Sequence, residues 1–330
     1  MPQASYEYAA ATISVMSSKM LTSAQVRKIY EAKDFRESLI LLLDTGYGGN
    51  LSIDQIANEE IDYVIREQLK LSREMIWKVT PEPELTSIFF LPVDAHNMKT
   101  LLKARLMGID APDVLLNGGI FDTDKLREEV LNKNYIDLPP ILRRTMEEIE
   151  VDLQREVEPS KFSAKIDGAV FEYGKSIIDK ADHKGFIKDY ISLIADFNNV
   201  RSVIRARALK WDASKLKDFL LVGGSIDHKV LLEALETPLE QLSGKLNRGP
   251  DGKIIAYAID EYATTRDIPL IKKRIEQAIL NLLSKEKWNT FSLGFIANYL
   301  VGREAEAKAL RLIFGAKRAG FEIELPELYA

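Results

Sequence analysis

The sequence predicts an all-α protein built on an internal repeat, and three observations carry that expectation. The first is the repeat itself: Asp94 to Arg105, D-A-H-N-M-K-T-L-L-K-A-R, returns as D-F-N-N-V-R-S-V-I-R-A-R from Asp196 to Arg207. Six of the twelve positions are identical or exchange Lys for Arg, and a second block, L-L-x-G-G-x-x-D, follows each copy at Leu115 to Asp122 and Leu220 to Asp227. The second is apolar spacing. Leu142, Met146, Ile149, Leu153 and Val157 step by three or four, as do Ile271, Ile275, Ala278 or Ile279, and Leu282, which gathers each set on one helix face. The third is the weakness of strand signals: short stretches such as Ser87 to Leu91 are β-like in composition but lack alternation.

The two blocks recur after 102 and 105 residues, so three units of about 105 residues would fill the 330-residue chain. The expected regions are 1–112, 113–215 and 216–330, with approximate boundaries that leave room for N- and C-terminal helices to share a domain. A third copy is expected near residue 300 and is read at Asn298 to Ile313, which keeps the spacing of polar, basic and apolar positions but not the letters. A period this long marks a repeated domain rather than a solenoid turn.

In chain order, Thr22-x-x-Gln25 and Ser52-x-x-Gln55 read as capping boxes, a hydroxyl accepting a free backbone N–H while the amide reaches back. Breaks are expected at Gly46 to Asn50, Pro81 to Pro83, Gly108 to Pro112, Gly118-Gly119, Pro139-Pro140, Gly223-Gly224 and Asn247 to Gly252. In each copy the opening Asp is expected to cap the helix that follows, its carboxylate accepting a first-turn N–H at the positive end of the dipole. That helix buries Met98, Leu101 and Leu102, or Val200, Val203 and Ile204, and carries a basic stripe on its other side, Lys99 and Lys103 or Arg201 and Arg205, each pair four residues apart. The Leu-Leu-x-Gly-Gly block reads as a helix end at a left-handed Gly, with Asp122 or Asp227 capping the next helix. Arg105 and Arg207 read as internal structure, because Arg pairs two-pronged with a carboxylate.

Composition narrows the function. A net charge of −5, with both signs interspersed, argues against a nucleic-acid partner, and the absence of cysteine removes disulfides, thiolate catalysis and sulfur-ligated zinc. The longest aliphatic run, Leu39 to Leu43, falls far short of the roughly 20 residues of a membrane span, and the N-terminus lacks the pattern of a signal peptide. His96, His183 and His228 have no metal-ligand spacing, and the glycine clusters at Gly46 to Gly49 and Gly244 to Gly252 have no phosphate-loop order. No catalytic, metal or cofactor-binding residue is expected. The basic stripe Lys99, Lys103, Arg201 and Arg205 is the candidate partner-binding surface, suited to an acidic face; a solvated face or internal salt bridges is the competing reading.

Further residues carry a family resemblance. The tyrosine- and alanine-rich N-terminal segment with Lys19-Met20-Leu21-Thr22, the stretch Leu39 to Tyr47 ending in Asp44-Thr45-Gly46-Tyr47, the two D-x-x-N-[MV]-[KR] helices and the tail from Ala316-Lys317 to Pro326 resemble the C subunit of the prokaryotic V/A-type rotary ATPases, the family that includes the d subunit of eukaryotic V-ATPases. The resemblance spans essentially the whole chain. It implies three similar helical domains with pseudo-threefold symmetry forming a funnel-shaped socket. It also implies a noncatalytic role on the cytoplasmic side of the membrane, peripheral to it, joining a rotating shaft of the D and F subunits to the membrane proteolipid ring. The alternatives are a general helical adaptor for acidic partner helices and an α-helical enzyme.

Overall fold

The computed structural model describes residues 5–53, 56, 60–110, 114–155, 158–182, 185–249, 251–323 and 325. Its regular structure is helical, with no strand among the described residues. The chain divides into two compact units, residues 1–86 with 286–330 and residues 87–285. The first contains α1 (Tyr6–Ser17), α2 (Ser23–Glu31), α3 (Phe35–Leu43), α4 (Ile61–Val79) and α5 (Pro83–Ser87), which runs to its edge. The second holds α6 (Leu91–Met107), α7 (Thr123–Asn132), α8 (Pro140–Leu153), α9 (Pro159–Lys180), α10 (Gly185–Ala208), α11 (Ala213–Lys217), α12 (His228–Glu233), α13 (Leu239–Leu246), α14 (Gly252–Thr265) and α15 (Ile268–Glu286). The chain then returns to the first unit with α16 (Leu293–Ala319).

Local signals account for many of these boundaries. Thr22 and Gln25 form the capping box of α2, Gln25 N–H donating to Thr22 Oγ1 at 3.2 Å and Thr22 N–H to Gln25 Oε1 at 2.8 Å. Pro140 opens α8, where its missing N–H costs nothing, and Gly108 stops α6 in the left-handed region at φ 65°. The Ser52 box depends on Gln55, which lies outside the described residues, as do Val157 and His183. On α8, Leu142, Met146 and Ile149 are buried and Leu153 half-buried; on α15, Ile271 and Ala278 are buried with Ile279 and Leu282 packed against the same core. In the first unit α16 sends Ala307, Leu310, Ile313 and Phe314 into a core shared with Leu39, Leu42, Val64 and Ile65.

The repeated blocks prove to be the two halves of one clamp, and this corrects the capping role expected of their opening Asp. Asp94 lies inside the first turn of α6 and Asp196 deep within α10, because the apolar pattern of 186–195 extends that helix upstream. Both carboxylates are fully buried and accept from the downstream loop. Ile120 and Phe121 N–H donate to Asp94 at 2.8 and 3.2 Å; Ser225 N–H, Ser225 Oγ and Ile226 N–H donate to Asp196 at 2.9, 2.6 and 3.0 Å. Asn97 then pairs two ways with the backbone of Leu116, and Asn199 with that of Leu221, amide to peptide. A Cβ on Gly119 or Gly224 would overlap the Asp carboxylate, which is why glycine is needed there, and Gly118 and Gly223 turn the loop at φ 89° and 92°. The Leu-Leu-x-Gly-Gly block therefore lies in a loop and does not end a helix. Asp122 and Asp227 cap α7 and α12, accepting from Lys125 and Lys229 N–H at 3.0 and 2.7 Å.

The closing Arg completes the clamp. Arg105 forks onto both oxygens of Glu150 at 2.6 and 2.8 Å and reaches the carbonyl of Val130, whereas Arg207 donates to the carbonyls of Ala234, Leu235 and Thr237 and thereby corrects the expectation of a carboxylate partner for both. Each holds the far end of the helix that its clamp has capped.

A third clamp exists, but not at Asn298. It starts at Glu306 and is completed by the other end of the chain. Glu306 Oε1 accepts the Leu21 N–H, and Leu21 immediately precedes the cap Thr22 as Phe121 and Ile226 precede Asp122 and Asp227. Lys317, eleven residues after Glu306 as Arg105 and Arg207 follow Asp94 and Asp196, donates to Ala32 O at 2.6 Å, beyond the end of α2. All three helices then stop alike: Gly108, Lys210 and Gly320 are left-handed, and the next N–H, from Ile109, Trp211 or Phe321, donates five residues back to Ala104, Ala206 or Ala316. Ala309 stands where the other copies have Asn, and the missing bond comes from Arg303, whose Nη2 donates to Met16 O at 3.2 Å; Met16 lies six residues before Thr22, as Leu116 and Leu221 lie six before their caps. Arg303 also pairs with Glu306 at 2.8 Å, both nearly inaccessible. Burial raises the Glu306 carboxyl above its ordinary value, against the pull of Arg303.

Candidate functional site

The four cations of the expected stripe all lie in the second unit, Lys99 and Lys103 on α6 and Arg201 and Arg205 on α10. Three of them converge. Lys103, Arg201 and Arg205 line one open cavity of about 920 Å³, whose walls include Phe171 of α9 and Trp211 just past α10. The clamps put them there: each clamp turns the apolar side of its helix inward and ties it to a loop, so residues five and nine places after the buried Asp face outward.

Lys99 has a different fate. Its Nζ pairs with Asp167 at 2.6 Å, and Asp167 is the one carboxylate among the described residues lining the cavity. Arg201 and Arg205 meet neutral groups, and Lys103 lines the same cavity. Arg201 donates to Asn198 Oδ1 at 2.7 Å, and the Arg205 guanidinium lies 5.5 Å from the centre of the Trp211 ring. Lys215 approaches the same ring at 5.2 Å while pairing with Glu158 at 3.0 Å, and Phe219 packs against it at 4.6 Å. Among the described residues no carboxylate pairs with Lys103, Arg201 or Arg205, so the cavity keeps three uncompensated positive charges beside an aromatic wall. Such a surface attracts anionic groups and offers apolar area beside them; it is suited to binding.

The spacing of basic residues placed Lys99, Lys103, Arg201 and Arg205 on outward helix faces but gave no sign of the cavity or of Phe171, Asp167 and Trp211 beside it. A signal for Trp211 exists in retrospect, since it occupies the position after a left-handed helix stop in the second copy. His96 and His228 are spent on the carbonyls of Val114 and Leu221 at 3.1 and 3.0 Å, and no group of three or more His, Cys, Asp or Glu assembles as a metal site among the described residues. Among the described residues the third copy has no matching basic stripe. Arg311, in the place of Lys99 and Arg201, pairs with Asp62 at 2.8 Å, and Gly315 stands in the place of Lys103 and Arg205.

Comparison with known proteins agrees with the resemblance carried by the motifs. The C subunit of the A-type ATP synthase of Desulfurococcus sp. (strain SY) is 23% identical over 329 residues, covering 97% of this chain and 88% of that protein. Its namesake in Methanocaldococcus jannaschii is 24% identical over 337 residues, covering 95% and 83%, and the C subunit of the V-type ATP synthase of Thermus thermophilus is 27% identical over 312 residues, covering 88% and 89%. The model of the ATP synthase (C/AC39) subunit family matches residues 9–327, the two clamps, the groove and the third clamp built from both chain ends included, and the chain belongs to that family.

Proposed function

We propose that this chain is the noncatalytic central-stalk subunit of a V/A-type ATPase or ATP synthase, joining the rotating shaft of the D and F subunits to the membrane proteolipid ring. Torque passing through it links ATP hydrolysis or synthesis to proton or sodium transport. The observation that carries this reading is the family match over residues 9–327, reinforced by relatives named as the C subunits of A-type and V-type ATP synthases that align over most of their own length. The chemistry of the chain fits it: the repeated polar residues are consumed in tying helices to loops, as a part that transmits torque requires, and the groove with Lys103, Arg201 and Arg205 is built for contact. Lys99 supports that contact by neutralising Asp167. The chain sits peripherally on the cytoplasmic side; no helix among the described residues is long and apolar enough to cross a membrane.

Titration of the purified chain with a purified D and F shaft, beside an ATP hydrolysis assay on the chain alone, tests the proposal. One-to-one binding without hydrolysis is the expected result. Hydrolysis by the isolated chain, or no binding to the shaft, overturns it.

A further inference from the structure

We infer that the partner is held asymmetrically: an acidic amphipathic helix docks in the groove of Lys103, Arg201, Arg205 and Trp211, and the corresponding face of the third clamp takes no part. Identifying that helix with one of the shaft rests on the coupling role proposed above; the chemistry of the groove does not. Position by position, the outward stripe reads Lys99 and Lys103 in the first copy, Arg201 and Arg205 in the second, and Arg311 and Gly315 in the third. In the third the only cation is already bound to Asp62. At these stripe positions, among the described residues, the repeated scaffold thus presents cations without a carboxylate partner in the second unit alone.

The groove also states what it accepts. Arg201 and Arg205 are four apart on α10 and share a face, so their complement is a pair of carboxylates at i and i+4 on a facing helix, with Lys103 reaching from α6. Guanidinium groups bind carboxylates with defined geometry, and the apolar wall beside them suits carboxylates carried on an amphipathic helix. Beside them Trp211, Phe171 and the half-exposed Leu209 offer apolar area for the residues flanking that pair. Lys99 keeps the groove positive by holding Asp167, the one carboxylate that would otherwise repel the ligand.

The test titrates the shaft against the full chain at low and high salt. The triple variant K103Q/R201Q/R205Q is expected to lose about tenfold in affinity at low salt, from three partly exposed ion pairs, with the loss shrinking at high salt. Asp167→Asn is expected to gain about threefold, a gain that misfolding cannot produce, while Arg311→Gln changes affinity by about twofold or less. Wild-type affinity in the triple variant, weaker binding by Asp167→Asn, or a loss in Arg311→Gln equal to that of the triple variant overturns the inference. If the wild-type chain does not bind the shaft, the coupling role fails, and a synthetic helix with Glu at i and i+4 and Leu between them decides the groove. Preference for that peptide over its Gln counterpart, abolished in the triple variant, upholds the groove; equal binding of the two peptides overturns it.

Discussion

The clamps of the second unit and the single clamp of the first do the same task with different chemistry. In the second unit a short acid, Asp94 or Asp196, needs the loop pressed against it, so glycine stands at 119 and 224 and an Asn one turn on pins the loop a second time. In the first unit the acid is one methylene longer. Glu306 reaches a segment with Lys19 where the other copies have glycine, and Arg303 on the preceding turn makes the second attachment. What the copies share is therefore a pattern of satisfied backbone groups, while the side chains that satisfy them differ. The difference also has an energetic consequence, because the first unit's clamp encloses an ion pair whose members are about equally inaccessible.

The contrast is greatest where that pair is broken. Glu306→Ala leaves the Arg303 guanidinium buried without its carboxylate and is expected to cost about 4 kcal/mol, with loss of amide protection over residues 18–31 in hydrogen exchange. Asp196→Ala leaves the N–H groups of Ser225 and Ile226 unmet without stranding a charge; it should cost about 3 kcal/mol, with exchange rising around 221–227. A smaller penalty for Glu306→Ala than for Asp196→Ala would mean that the first unit relaxes around its unpaired guanidinium.

Gly224→Ala should cost about 2 kcal/mol in urea unfolding, since its Cβ overlaps Asp196, whereas Lys19→Ala in the matching position should be nearly neutral. Equal effects at the two sites would remove the distinction between short and long acids. Thr22→Ala, which deletes the cap that Glu306 secures, is expected to cost about 1 kcal/mol and to loosen α2 alone.

The smallest effect is a surface control outside the clamps. The hydrogen bond from Lys245 holds the Glu233 carboxyl below its ordinary value, so its contribution to stability is present above that ordinary value and fades as pH falls through the depressed one. Lys245→Gln should move the Glu233 titration, followed by NMR, back upward and leave hydrogen exchange in the clamps unchanged.

Much of the scaffold was legible because helices are local. Apolar steps of three and four, the Thr22 box, Pro140 and Gly108 each act within a turn or two, and the structure places helices and their ends accordingly. The basic stripe was legible for the same reason, since residues four apart share a face in any helix. Its partition into a paired Lys99 and three free cations was not, because it depends on Asp167, 68 residues away from Lys99.

From its letters alone the protein is helical, uses a block containing Asp, Asn and Arg twice, and joins the same glycine block to each copy. Folding assigns those letters their tasks. A buried carboxylate is satisfied by whichever N–H groups the fold brings within hydrogen-bonding reach, and here these lie 26 to 30 residues downstream in two copies and 285 residues away in the third. The third copy was expected on this helix but with its start at Asn298 in place of Glu306, because its helix and its loop belong to opposite ends of the chain, where no spacing along the backbone connects Glu306 to Leu21.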